Sequence, residues 1–151
     1  MSFLSETDYR SQISQRDLQA LTSLDDLEAT PEEVATALRE EAEELAMTEI
    51  ASYLRGRFDM DAAFTAQGTA RNKQLVMMVV DVTIWNLSSK VAFANVSEIR
   101  ETRYKAAIKW LERAERGMSN PNLPRYPLDP AKPNTRKLFR FGSNPARSQS
   151  F

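Results

Sequence analysis

Three groups of residues in this chain could do chemistry, and each points to a different kind. The first is Glu40-Glu41-Ala42-Glu43-Glu44. At helical pitch Glu40, Glu41 and Glu44 share a side, where their oxygens could hold Mg²⁺ for nucleotide hydrolysis. A hard cation needs more carboxylates from a second helix, and the next apolar stretch offers only Asp81. The run therefore reads as a solvated acidic face with no metal, and no cofactor is expected. The second is Asp81 itself, alone among apolar neighbours. A buried carboxylate needs a partner, so Asp81 reads as a structural buried charge paired with Arg57, Arg100 or Arg103 rather than as a catalytic acid. The third is RKLFRFGSNPARSQSF, residues 136–151, with four Lys/Arg, three Phe and no acid.

In that last segment Leu138, Phe139 and Phe141 stand among Arg136, Lys137 and Arg140. In an extended chain, alternate residues point to opposite faces. Such a strand can add to a sheet edge or lay aromatic rings into a partner's pockets. These six residues are the expected partner-binding set. Apolar anchors would supply the affinity, and the cations charge complementarity.

Helices must carry these groups. Ser14 to Leu21 suits a short helix, after a first thirteen residues that read as extended. Thr30-Pro31-Glu32-Glu33 is a strong helix start, with a cap, a proline at the first position and a capping box. Val34, Leu38, Ala42, Leu45, Ile50, Tyr53 and Leu54 then recur at helical spacing, with Glu32, Arg39, Glu40, Glu43 and Glu44 on the other side. Gly56, as the residue that fits a left-handed terminal position, should stop the helix. A connection from Phe58 to Gly68 carries the anchors Phe58, Met60 and Phe64. A second helix is expected over about residues 70–90, apolar on nearly every side and hence central. A third begins near a capping box at Asn95 to Glu98 and ends near Gly117. Its inner stripe is Ile99, Tyr104, Ala107, Ile108, Leu111, Ala114 and Met118. Six of the seven prolines fall after it. The fold class is therefore all-α: a bundle of three principal helices with a short N-terminal helix (residues 1–118) and an extended C-terminal arm (119–151).

Composition narrows the function. The 151 residues suffice for one core, and neither His nor Cys occurs. That removes the commonest general base, thiolate chemistry and disulfides, so an enzyme is not expected. No basic-then-apolar leader opens the chain, and no apolar run is long enough to span a bilayer. The charge is segregated. Residues 1–118 hold 14 Lys/Arg against 20 Asp/Glu, whereas residues 119–151 hold six against one. An acidic body with a basic tail points to an acidic partner surface, either a protein of the same assembly or nucleic acid.

Several stretches resemble the small head–tail connector (adaptor, head completion) proteins of tailed bacteriophages, including a Mu-like group. They are IASYLRGRFDMDAAF (50–64), RNKQLVMMVVD (71–81), ETRYKAAIKWL (101–111), GMSNPNLP (117–124) and FGSNPAR (141–147). The resemblance implies a non-enzymatic virion protein, made in the host cytoplasm. It implies a homo-oligomeric ring, usually of twelve copies, in the neck between capsid portal and tail. The arm would dock on the portal protein or a neighbouring connector subunit, with tail-side neck proteins attached beneath. Genomic DNA would pass through the lumen without sequence-specific binding, and no membrane is involved. An acidic helical body suits such a passage, because acid repels phosphate. The alternative of another class is a small DNA-binding helical protein whose basic arm tracks phosphates.

Overall fold

The computed structural model describes residues 2–23, 32–90 and 98–127. The fold is all-α, with no strand among the described residues. Among the described residues six helices follow in order: α1 (Glu6–Arg10), α2 (Gln15–Leu21), α3 (Glu32–Leu54), α4 (Met60–Thr65), α5 (Lys73–Lys90) and α6 (Glu98–Glu115). A single 3₁₀ turn, Gly68–Ala70, precedes α5. Helices α3, α5 and α6 pack on one another, while α1 and α2 lie against α5.

The composition of α5 explains its central place. Leu75, Met78, Val79, Val80, Val82, Ile84 and Leu87 are all buried, and together they point in every direction around the helix. Asn72 starts it, its side-chain oxygen accepting from the Leu75 N–H at 3.0 Å. On α3 the inner row is Ala42, Ala46, Ile50 and Leu54, all fully buried at four-residue steps. The two alanines let the neighbouring backbones approach closely. On α6 the inner row is Ala107, Leu111 and Ala114. Phe58 and Met60 anchor the connection as expected, at 1% and 0% exposure.

Several expectations need correction. Val34, Leu45, Ile99 and Met118 belong to the expected inner stripes but lie exposed. For Val34, Leu45 and Ile99 the reason is the alanine rows: packing selects the side where helices can approach, and the larger apolar residues round the wheel stay in water. Met118 lies past the end of α6, beyond the turn at Gly117. The first thirteen residues are not simply extended. Ser5 N–H donates to Asp8 Oδ2 at 2.7 Å, and this reach-back starts α1. The 58–68 connection likewise holds a helix, α4, capped where Asp59 Oδ1 accepts from the Ala62 N–H at 3.0 Å.

Gly56 does not take the left-handed conformation; among the described glycines only Gly68 (φ 55°) and Gly117 (φ 79°) have positive φ. Helix α3 instead closes as Arg57 and Phe58 N–H both donate to Leu54 O, at 2.9 and 3.0 Å. The stop of α6 is as expected. Gly117 N–H reaches Ala114 O at 3.0 Å and Met118 N–H reaches Arg113 O at 2.8 Å, the pairing of a glycine-closed helix end. The capping residues expected at Thr30, Pro31 and Asn95 lie outside the described residues.

Glu43 is the largest departure. It was expected on the solvated face, yet it is only 4% exposed. Its Oε1 accepts from the Phe3 and Leu4 N–H groups at 2.6 and 3.0 Å, and its Oε2 from Ser2 Oγ at 2.6 Å. An ionised carboxylate with that many donors is well satisfied in a dry site. It fastens the N-terminal segment across α3. Arg71 fastens the same segment from the other side, donating to Phe3 O at 2.8 Å and to Asp8 Oδ2 at 2.7 Å. Phe3 then meets Phe64 edge-on, ring centroids 5.4 Å apart.

Candidate interaction surfaces

The expected partner-binding residues Arg136, Lys137, Leu138, Phe139, Arg140 and Phe141 lie outside the described residues. What is described is the start of the arm, residues 119–127. It does not stand clear of the bundle. Pro124 O accepts from the Asp59 N–H at 2.9 Å, and Asn122 O accepts from Asn72 Nδ2 at 2.8 Å. Pro121 and Leu123 are buried, and the Arg125 guanidinium lies 5.7 Å from the Phe58 ring centroid. Arg57 packs against Gly117, where a Cβ would collide with its Nη1. The arm therefore leaves from a platform built by the α3–α4 turn and the start of α5. The residues that make this platform, Arg57, Asp59 and Asn72, gave no such signal in the sequence, because the partners are backbone carbonyls for Asp59 and Asn72 and a glycine for Arg57, and no residue type marks those contacts.

Asp81 lies in α5 at 9% exposure, with Arg103 Nε of α6 2.9 Å from its Oδ1. Burial pushes its carboxyl above the ordinary Asp value, and the opposing pull of Arg103, then Arg100, is not enough to cancel that. Of the three candidate partners, Arg103 forms the pair. Arg100 turns to Gln12 O at 2.8 Å and ties α6 to the α1–α2 turn. Asp8 behaves oppositely. Burial would push it up too, but the hydrogen bonds from Arg71 and Ser5 outweigh that and hold it below its ordinary value.

The Glu40–Glu44 run divides. Glu40, Glu41 and Glu44 are exposed on α3, while Glu43 turns inward. Among the described residues, no group of three or more His, Cys, Asp or Glu is placed to hold a metal ion. Exposed apolar side chains border the acids: Leu45 is 50% exposed and Val34 36%. On α6 the outward residues Lys105, Lys109 and Arg113 follow at four-residue steps and so share a face, with Arg116 just past the helix end. Lys105 pairs with Glu101 of its own helix. Between α3 and α6, Tyr104 donates to Glu49 Oε1 at 2.8 Å and stacks on Trp85 at 4.7 Å between ring centroids. Burial, then that carboxylate, pushes the Tyr104 phenol up to about 12.

No helix among the described residues is long and apolar enough to cross a membrane. Compared with known families, residues 3–138 match the one described as "Bacteriophage Mu, Gp36". No curated protein and no solved structure matches.

Proposed function

This chain belongs to the bacteriophage Mu Gp36 family, and from that premise we propose that it is a non-enzymatic head–tail connector of the virion neck. In this reading, copies form a ring, twelve being the number the connector resemblance implies. The ring binds the portal protein on one side and tail-side neck proteins on the other. Genomic DNA passes through it without sequence-specific contacts. The C-terminal arm docks on the portal or on an adjacent subunit, with Leu138, Phe139 and Phe141 as apolar anchors and Arg136, Lys137 and Arg140 adding charge complementarity.

The observation that carries this reading is the platform under residues 119–127. A segment that only trailed in solvent would not need its root fixed by two backbone carbonyls and a buried leucine. A fixed root gives a docking segment a defined starting point and lowers the entropy lost when it binds. The acidic body supports the passage of DNA, since like charge keeps the duplex from sticking.

The test is co-sedimentation with the portal ring of the same phage, comparing the full chain with one ending at Pro127, which keeps the platform. The full chain should bind in a fixed ratio and the shortened chain should not. If both bind, the arm is not the docking element. If neither binds, and the full chain instead binds duplex DNA with an affinity that falls steeply with salt, the DNA-binding alternative replaces the connector.

A further inference from the structure

The outward sides of α3 and α6 carry exposed residues that face no other element among the described residues. Both mix charge with exposed apolar surface, and their charges are opposite. On α3, Glu40 and Glu44 stand one turn apart, and Leu45, which is 50% exposed, follows Glu44 about 100° round the helix, at the edge of that face. On α6, Lys109 and Arg113 stand one turn apart on the same side as Ile99, which is 66% exposed. Neither Lys109 nor Arg113 forms an ion pair among the described residues, and neither does Glu40 or Glu44. These faces do not pair with each other within one copy among the described residues. Where α3 and α6 meet, Tyr104 donates to Glu49, which lies five or more residues from Glu40 and Glu44.

We propose that the acidic α3 face of one copy binds the basic α6 face of the next, with Glu40 and Glu44 against Lys109 and Arg113, and with Leu45 and Ile99 contributing apolar contact. The occupant of each face is a second copy of this chain. Charge complementarity argues for it, since one molecule carries both signs on two separate faces. Two different patches that fit each other make a head-to-tail contact, which repeats from copy to copy and closes into a ring when the rotation permits. A like-with-like dimer would instead oppose acid to acid. The inference rests on the proposed connector ring and gives it a lateral interface.

The test uses two charge-reversed chains, Glu40→Lys/Glu44→Lys and Lys109→Glu/Arg113→Glu, with thermal melting to check that each still folds. Assembly is followed by analytical ultracentrifugation of the full-length protein, alone and with the portal ring. Each reversed chain alone should assemble on the order of tenfold or more less well, because its own two faces now carry one sign. An equimolar mixture should recover assembly, with the two chains alternating. If both reversed chains assemble like the unmodified protein, the lateral interface is wrong while the ring stands. If each fails and the mixture also fails, the faces meet some other partner, the basic arm and DNA among them, and the proposal is overturned. If the unmodified chain forms no higher assembly under either condition, the ring reading itself falls and the interface with it.

Discussion

At the scale of single residues, two buried carboxylates do opposite things. Glu43 is satisfied by donors that cannot leave. Glu43→Ala would strand the Phe3 and Leu4 N–H groups and release the N-terminal segment. The expected cost is about 2–4 kcal/mol, against within about 0.5 kcal/mol for Glu40→Ala on the same helix, measured by urea unfolding. Equal effects would mean that the clamp contributes nothing. Asp81 is held by one arginine in a site that disfavours its charge. Its folded pKa is raised above 3.8, so between that value and the folded one the native state binds more protons than the unfolded chain. Stability from this group therefore falls as pH rises through that window. Asp8, whose folded pKa is lowered, contributes stability above 3.8 that is lost as pH falls through its folded value. Asp81→Asn should remove the first slope and change stability at pH 7 by no more than about 1 kcal/mol, because Arg103, 35% exposed, can turn to water. Arg103→Met leaves an ionised Asp81 without its partner and should cost about 2–3 kcal/mol at pH 7. Denaturant titrations of both variants across pH 3–7 would decide; equal losses at neutral pH would refute the asymmetry.

At the scale of elements, the two glycines that follow long helices look alike in sequence and differ in structure. Gly117 needs its positive φ of 79°, and a Cβ there would collide with Arg57. Gly56 has neither a positive φ nor any atom within 4 Å of a built Cβ. Gly117→Ala should therefore lose about 1–2 kcal/mol from backbone strain alone, with more from the displaced guanidinium. Gly56→Ala should be neutral or gain up to about 1 kcal/mol. Repeating Gly117→Ala in an Arg57→Ala background should recover only the steric part. The same contrast marks what the sequence makes legible. Periodicity finds α3, α5 and α6, because long helices repeat their pattern many times. It finds Ala42, Ile50 and Leu54 on the inward side of α3 but adds Val34 and Leu45, which lie exposed, and misses Ala46, since a pattern of large apolar residues does not show that close approach selects the alanines. It misses α1 and α4, whose five and six residues hold little more than one turn. It also misses Glu43, because four glutamates in a row of five carry the same signal and only the tertiary partner, a pair of backbone amides 40 residues away, separates them.

At the scale of the whole molecule, the question is where the body ends. Composition changes after Gly117, where the prolines begin, and composition puts the boundary at Met118. The packing puts the last anchoring contacts later. Leu123 is 8% exposed in the same core cluster as Phe58 and Leu75, and Pro124 O holds the turn that starts α4. Proline suits this role, since it fixes an extended path while its carbonyl remains free to accept. The two boundaries separate experimentally. A chain ending at Pro127 retains every contact named for the platform and should unfold at the same denaturant midpoint as the full chain. A chain ending at Met118 loses the burial of Leu123, worth about 1.5–3 kcal/mol, and leaves the Asp59 N–H without its carbonyl for about 1 kcal/mol more. Its midpoint should fall accordingly. Equal midpoints for the two shortened chains would return the boundary to Met118, and the arm would then begin at the end of α6 with no fixed root.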